Sequence, residues 1–142
     1  EIDKSTYKSA MEYVKTNNLE SKVKFHGRVD EKTFNFYLTK SDLIINLRYP
    51  SMGEVSAIVV RAIQNSIPII VIDHAWYSEL PDFFIKLKLS NNLVHDLTET
   101  IYKYLILSSF QKKQLRKKIM KYHEEHYNFR NVSNQYMKII SS

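Results

Sequence analysis

Two apolar runs constrain this chain more than any other feature. Asp42–Leu47 reads DLIINL and Ile67–Ile72 reads IPIIVI, each of strand length and apolar almost throughout. A strand with one wet face alternates polar and apolar residues. A continuous apolar run is what a parallel sheet covered on both faces requires. Between the runs, Val55, Ile58, Val59, Ala62 and Ile63 follow the i, i+3, i+4, i+7, i+8 stripe of a helix packed on a sheet. Strand, helix and strand in that order predict a βαβ unit and parallel pairing.

The flanking segments fit an α/β chain. Residues 3–17 carry Tyr7, Ala10, Met11 and Val14 at helical spacing, and Thr16-Asn17-Asn18 ends the run. Val23–Gly27 alternates and stops at a glycine, which predicts a short strand running into a turn. Asp30 is placed to cap a helix whose inner face is Phe34, Tyr37 and Leu38. After Ile72, His74–Asp82 reads as a loop or short turn, and Phe83–Leu89 as a final, more exposed strand. Helices are predicted over about Leu93–Leu107, Phe110–Tyr127 and Val132–Ile140. No repeat or linker divides the 142 residues, so the chain is expected to be one domain, 1–142, with C-terminal helices from about 93–142. It opens on Glu1 rather than methionine, the mark expected of a piece of something longer.

Composition narrows the partners. With 44% hydrophobic and 25% charged residues the chain is globular rather than disordered. It has no cysteine, which excludes disulfide scaffolds and thiolate metal sites and suits the cytoplasm. No apolar run is long enough to span a membrane. A net charge of +6 favours anionic partners.

In parallel α/β sheets, ligands sit beyond the carboxyl ends of the strands, against helix N-termini. Three polar loops are expected on that rim: Pro50–Ser56, Gly27–Asp30 and Asp73–Glu79. In the first, Ser51 followed three residues later by Glu54 has the form of a capping box. Gly53 would then sit in the first helical turn, an unfavourable place for glycine unless a ligand approaches the backbone closely. The amides of Met52–Val55 would form an anion site there. Arg61 would share a helix face with Glu54 about 10.5 Å along the axis, suited to gripping another part of one extended ligand. Arg48 closes the preceding strand at the same rim. A plain cap and two solvated arginines are the structural alternatives.

The stretch VKFHGRVDEKTFNFYLTKSDLIINLRYPSMGEVSAIVVRAIQNSIPIIVIDHAWYSELPD resembles the donor-binding domain of group 1 retaining glycosyltransferases. These enzymes face two Rossmann-like domains across a cleft, the GT-B arrangement. The order and spacing of FHGRV, SDLIINL, PSMGE, NSIP, IIVID and YSELPD carry the resemblance from about Val23 onward, and YHEEHYNFRNVSNQYMKII is like that domain's last helices. It implies a Rossmann-like three-layer domain with a mostly parallel sheet, lacking its first two strands. Gly53, Glu54, Val55 and Ser56 would face the phosphates and sugar of a nucleotide diphosphate sugar, with Glu54 the catalytic candidate. Arg61 would lie near the ribose and Arg48 at the rim, while Gly27, Arg28 and Val29 would pack on the base. No metal or cofactor is implied.

This chain departs from the family pattern. The usual spaced pair of glutamates is absent: Gly53, with Glu54 beside it, stands at the first position and Arg61 at the second. The basic pair after the first strand and the acceptor-binding N-terminal domain are also missing, so this chain alone is expected not to catalyse transfer. By the resemblance, Val23–Gly27 is the third strand of a 3-2-1-4-5-6 sheet. Either earlier strands are cleaved or supplied by another molecule, or Val23–Gly27 pairs directly with Asp42–Leu47.

Other groupings carry less. His123 and His126 lack the H-E-x-x-H pattern and a third ligand, so no metal site is expected. His26 and His74 are rim histidines that could touch a phosphate or sugar. Lys112, Lys113, Arg116, Lys117, Lys118 and Lys121 form a basic helix face over Leu115, Ile119 and Tyr122. That face is either simply solvated or attracted to an anionic membrane, which would suit a lipid-linked acceptor. Nucleic acid is not expected, because the aromatic residues fall on core faces rather than on a stacking platform. The functional expectation is the donor-binding part of a glycosyltransferase, cytoplasmic and at most peripheral to a membrane. Its rivals are a non-catalytic nucleotide-binding module and a basic helical adaptor for membrane or nucleic acid.

Overall fold

A computed structural model describes residues 4–141, apart from the side chain of Gln135. The chain divides into two compact units, Glu1–Phe34 and Asn35–Ser142.

In the first unit, helix α1 (Lys4–Thr16) buries no residue completely. Asn18, at φ 53°, turns the chain back, and the Leu19 amide donates to the Val14 carbonyl at 2.9 Å. The predicted strand Val23–Gly27 is not a strand. Alternation supplies a two-faced pattern, but a strand exists only through a partner's hydrogen-bond ladder. This segment has none, and Phe25 instead packs edge-on against Tyr7, ring centroids 5.5 Å apart. Gly27 turns with φ +59°. Asp30 caps α2 (Glu31–Lys40) as expected: its carboxylate accepts from the Thr33 amide at 2.7 Å, and that amide draws its pKa below the ordinary value.

The second unit is α/β with a parallel sheet of order β1-β2-β3, formed by Ile44–Asn46, Ile69–Ile72 and Ile85–Leu87. Ile44, Ile45 and Asn46 stand opposite Ile69, Ile70 and Val71, while Ile70, Val71 and Ile72 stand opposite Ile85, Lys86 and Leu87. Helix α3 (Ala57–Gln64) crosses over between β1 and β2, and a 3₁₀ turn, Ala75–Glu79, follows β2. Helices α4 (Leu93–Leu105), α5 (Ser109–His126) and α6 (Phe129–Ile140) complete the chain within two residues of the predicted ends, except that α6 starts three residues early.

All four residues of β2 are buried. Ile70 and Ile72 pack with Leu87, Leu43 and Leu47 and with Leu93, Leu97 and Ile101 of α4. Ile69 and Val71 point to the opposite face, since side chains alternate along a strand, and are buried as completely. The predicted stripe holds on α3 at Val59, Ala62 and Ile63, all 0% exposed, with Ile58 half-buried, but Val55 lies before the helix and is exposed. The β1 run departs from expectation: Ile44 is 8% exposed but Ile45 is 45%. β1 is an edge strand, and only one of its faces is fully covered.

Two polar anchors hold the layers together. Tyr104 of α4 donates to the Asp42 carbonyl at 2.7 Å, and Arg116 of α5 reaches the Ser41 and Asp42 carbonyls at 3.5 Å. Lys86 of β3 lies half-buried along the protein and gives its ammonium to the Leu80 carbonyl at 2.8 Å. Ile70→Ala is expected to cost about 3 kcal/mol in urea unfolding, within the usual range for a core truncation, and Ile45→Ala less than about 1 kcal/mol. Equal losses would contradict the central placement of β2.

Candidate functional site

The loops after β1 and β2 leave the carboxyl ends of neighbouring parallel strands. They meet there: the rings of Tyr49 and His74 stand edge to face at 5.2 Å. The Tyr49–Pro50 peptide is cis.

Sequence reasoning placed a capping box at Ser51–Glu54, and the structure corrects it. α3 begins at Ala57 with Ser56 as N-cap. Gly53 has φ +91°, in the left-handed region that no helical turn contains, so the helix cannot start before it. Glu54 closes the loop instead. One carboxylate oxygen pairs with Arg48 at 2.6 Å, and the other accepts from the Met52 amide at 2.8 Å and the Ser51 hydroxyl at 3.4 Å. Gly53 is therefore required by backbone conformation, and a Cβ there would meet nothing within 4 Å. The expected Met52–Val55 anion site changes with it: the Met52 amide is already taken, and the amides at the helix start are those from Ala57 onward.

Ser56 is buried, and its hydroxyl accepts from Asn46 Nδ2 at 3.1 Å rather than from a helix amide. The first turn of α3 thus has no side-chain cap, and its leading N–H groups keep their capacity to donate to an anion. Arg48, exposed, stands in the same loop, while Met52 and Val55 project into solvent.

Arg61 does not share a helix face with Glu54, because Glu54 lies outside the helix. It is half-buried on α3, and its guanidinium donates to Asn35 Oδ1 at 3.4 Å. Gly27, Arg28 and Val29 belong to the first unit, where Gly27 and Arg28 are exposed and Val29 is half-buried. His74 stands at the rim beside Tyr49. No group of three His, Cys, Asp or Glu residues among the described residues could hold a metal, and His126 packs on Tyr122 at 4.4 Å.

Reading the sequence missed Asn46 and Tyr49. Asn46 carried a signal, as the one polar residue inside an apolar strand run. Tyr49 carried none. The basic face of α5 is also narrower than expected: Lys112 donates to the Leu105 carbonyl at 2.8 Å beside the Tyr104 ring, and Arg116 is the anchor already described. The chain matches no known family, no curated protein and no solved structure.

Glu54's own backbone amide, then that of Met52, and then Arg48 hold its carboxyl below the ordinary value of 4.5. A depressed folded pKa means that this contribution to loop order is complete above the unfolded carboxyl pKa and is lost as pH falls through the folded one. The Met52 amide shift, followed by NMR, should therefore titrate with a midpoint below 4.5. A midpoint at or above it would show that the carboxylate is not held. Gly53→Ala should cost about 1 kcal/mol of stability through left-handed strain alone; an unchanged unfolding midpoint would contradict the loop conformation.

Proposed function

We propose that this chain provides the nucleotide-sugar donor side of a glycosyltransferase with a GT-B arrangement. The observation that carries this reading is the uncapped start of α3 at the carboxyl edge of a parallel sheet, with Arg48 in the adjoining loop. Amides fixed at a helix start, reinforced by the helix dipole, suit a diphosphate. During transfer they would stabilise the charge that develops on the leaving nucleotide diphosphate, at no cost of reorganisation. Arg48 adds a planar donor matched to phosphate oxygens. A diphosphate arriving here competes with Glu54 for that arginine, which leaves the Glu54 carboxylate beside the sugar.

One observation favours a second reading, a nucleotide-binding module without catalysis. Both carboxylate oxygens of Glu54 are engaged within its own loop, which is the behaviour of a structural residue.

Calorimetric titration with nucleoside diphosphates and nucleotide sugars tests both readings. Arg48→Ala should weaken nucleoside diphosphate binding at least about tenfold, ~1.4 kcal/mol. Glu54→Gln should tighten the bare diphosphate by releasing Arg48, and weaken the sugar-bearing donor if the carboxylate grips sugar. Equal tightening of both ligands would select the non-catalytic module. Absence of binding by every nucleotide would remove both readings.

A further inference from the structure

The net positive charge of this protein lies in one segment. Residues 109–141, which hold α5 and α6, contain eight Lys and Arg against two Glu, a net +6, while the remaining residues carry thirteen of each sign and balance. Within α5, Lys113, Lys117 and Lys118 are exposed.

α6 places an apolar stripe beside that charge. Phe129, Val132, Tyr136, Ile139 and Ile140 recur at helical spacing along one side. A helix at the surface of a globular protein normally turns such a stripe inward. Here Phe129 is 86% exposed, Tyr136 64%, Ile139 71% and Ile140 78%, while Val132 is half-buried. The polar side of α6 is the one engaged with α5: Asn131 donates to the Glu124 carbonyl at 2.6 Å, and Asn131, Asn134 and Lys138 share a polar groove with Glu125.

An outward apolar stripe on a short helix, in the segment that carries the molecule's entire charge excess, is the physical pattern of an interfacial membrane helix. We propose that α6 lies in the surface of an anionic lipid bilayer, its stripe in the headgroup–acyl boundary, while the lysines of α5 hold it there electrostatically. Twelve residues make a helix of about 18 Å, too short for a hydrocarbon core of about 30 Å, so α6 lies along the surface rather than crossing it. The charge chooses the occupant: a second copy of this chain would bring another +6 to the same face. Nothing in this inference depends on the donor-site reading.

Co-sedimentation of the whole chain with vesicles tests it. Vesicles of equal parts phosphatidylcholine and phosphatidylglycerol should bind the protein at least about tenfold more tightly than pure phosphatidylcholine, and less so as salt rises. Lys113→Glu/Lys117→Glu/Lys118→Glu should abolish that preference. Phe129→Ser/Ile139→Ser/Ile140→Ser should lower affinity for the anionic vesicles at least about tenfold and leave only binding that salt removes. All six side chains are exposed, so neither variant disturbs the core, and an unchanged far-UV circular dichroism spectrum checks this. Equal binding to both vesicle types, or wild-type binding by either variant, overturns the proposal. So does a lipid-free dimer that the serine variant dissociates, which would make the occupant a second copy.

Discussion

The second unit depends on the burial of one short strand. Ile69–Ile72 is paired on both edges and covered on both faces, and everything around it takes its position from that fact. Each fully buried isoleucine contributes roughly 1.5–3 kcal/mol relative to exposure. These four residues therefore outweigh any single polar contact in the unit. Because β1 and β3 both run parallel to β2, the connections must cross over, and α3 is the first crossover. The same parallel order brings the loops after β1 and β2 out at one end of the sheet, where Tyr49 meets His74. The meeting of these two loops is thus a consequence of the core, not an addition to it.

Within that loop, charge is arranged against itself. Glu54 neutralises Arg48 and satisfies the Met52 amide, so the loop holds its shape without a ligand. The Ser56 hydroxyl accepts from Asn46 and leaves the helix start uncapped. The loop is closed by its own groups, while no side chain caps the helix start. A diphosphate bound as proposed would meet the amides at that start. Chemistry on a sugar would need the Glu54 carboxylate released from its present partners.

Much of this fold was legible in the sequence, and each departure has a physical cause. Strongly periodic or wholly apolar segments were placed correctly: Ile67–Ile72, the α3 stripe and the three C-terminal helices. Local motifs without such support were not. Ser51-x-x-Glu54 satisfies the capping-box pattern, but Gly53 takes φ +91° and the helix waits until Ala57. The same pattern goes unremarked at Ser108-x-x-Gln111, where both reciprocal hydrogen bonds form and α5 begins. A capping motif specifies hydrogen-bonding capacity, and backbone conformation decides whether it is used. Val23–Gly27 failed for a different reason: its alternation is real, but pairing is a property of two segments. Arg48, Gly53, Glu54 and Ser56 do stand in the loop that the sequence singled out, with Gly53 and Glu54 before the helix rather than in its first turn. Their hydrogen-bond partners, Asn46 above all, become visible only once the loop is folded. The charge of α5 was equally legible, but the outward turn of the α6 stripe was not, since periodicity shows that a helix has an apolar side without showing which way it faces.

The claim that the rest follows from β2 is open to direct measurement. Native-state hydrogen exchange reports the opening free energy of each amide, from local fraying up to global unfolding. The account predicts that the amides of Ile70, Val71 and Ile72 exchange slowest in the molecule, at the free energy of global unfolding. The loop from Arg48 to Ser56 should open locally at much lower cost. Slowest exchange in α5 instead, with the β2 amides opening well below the global value, would contradict it.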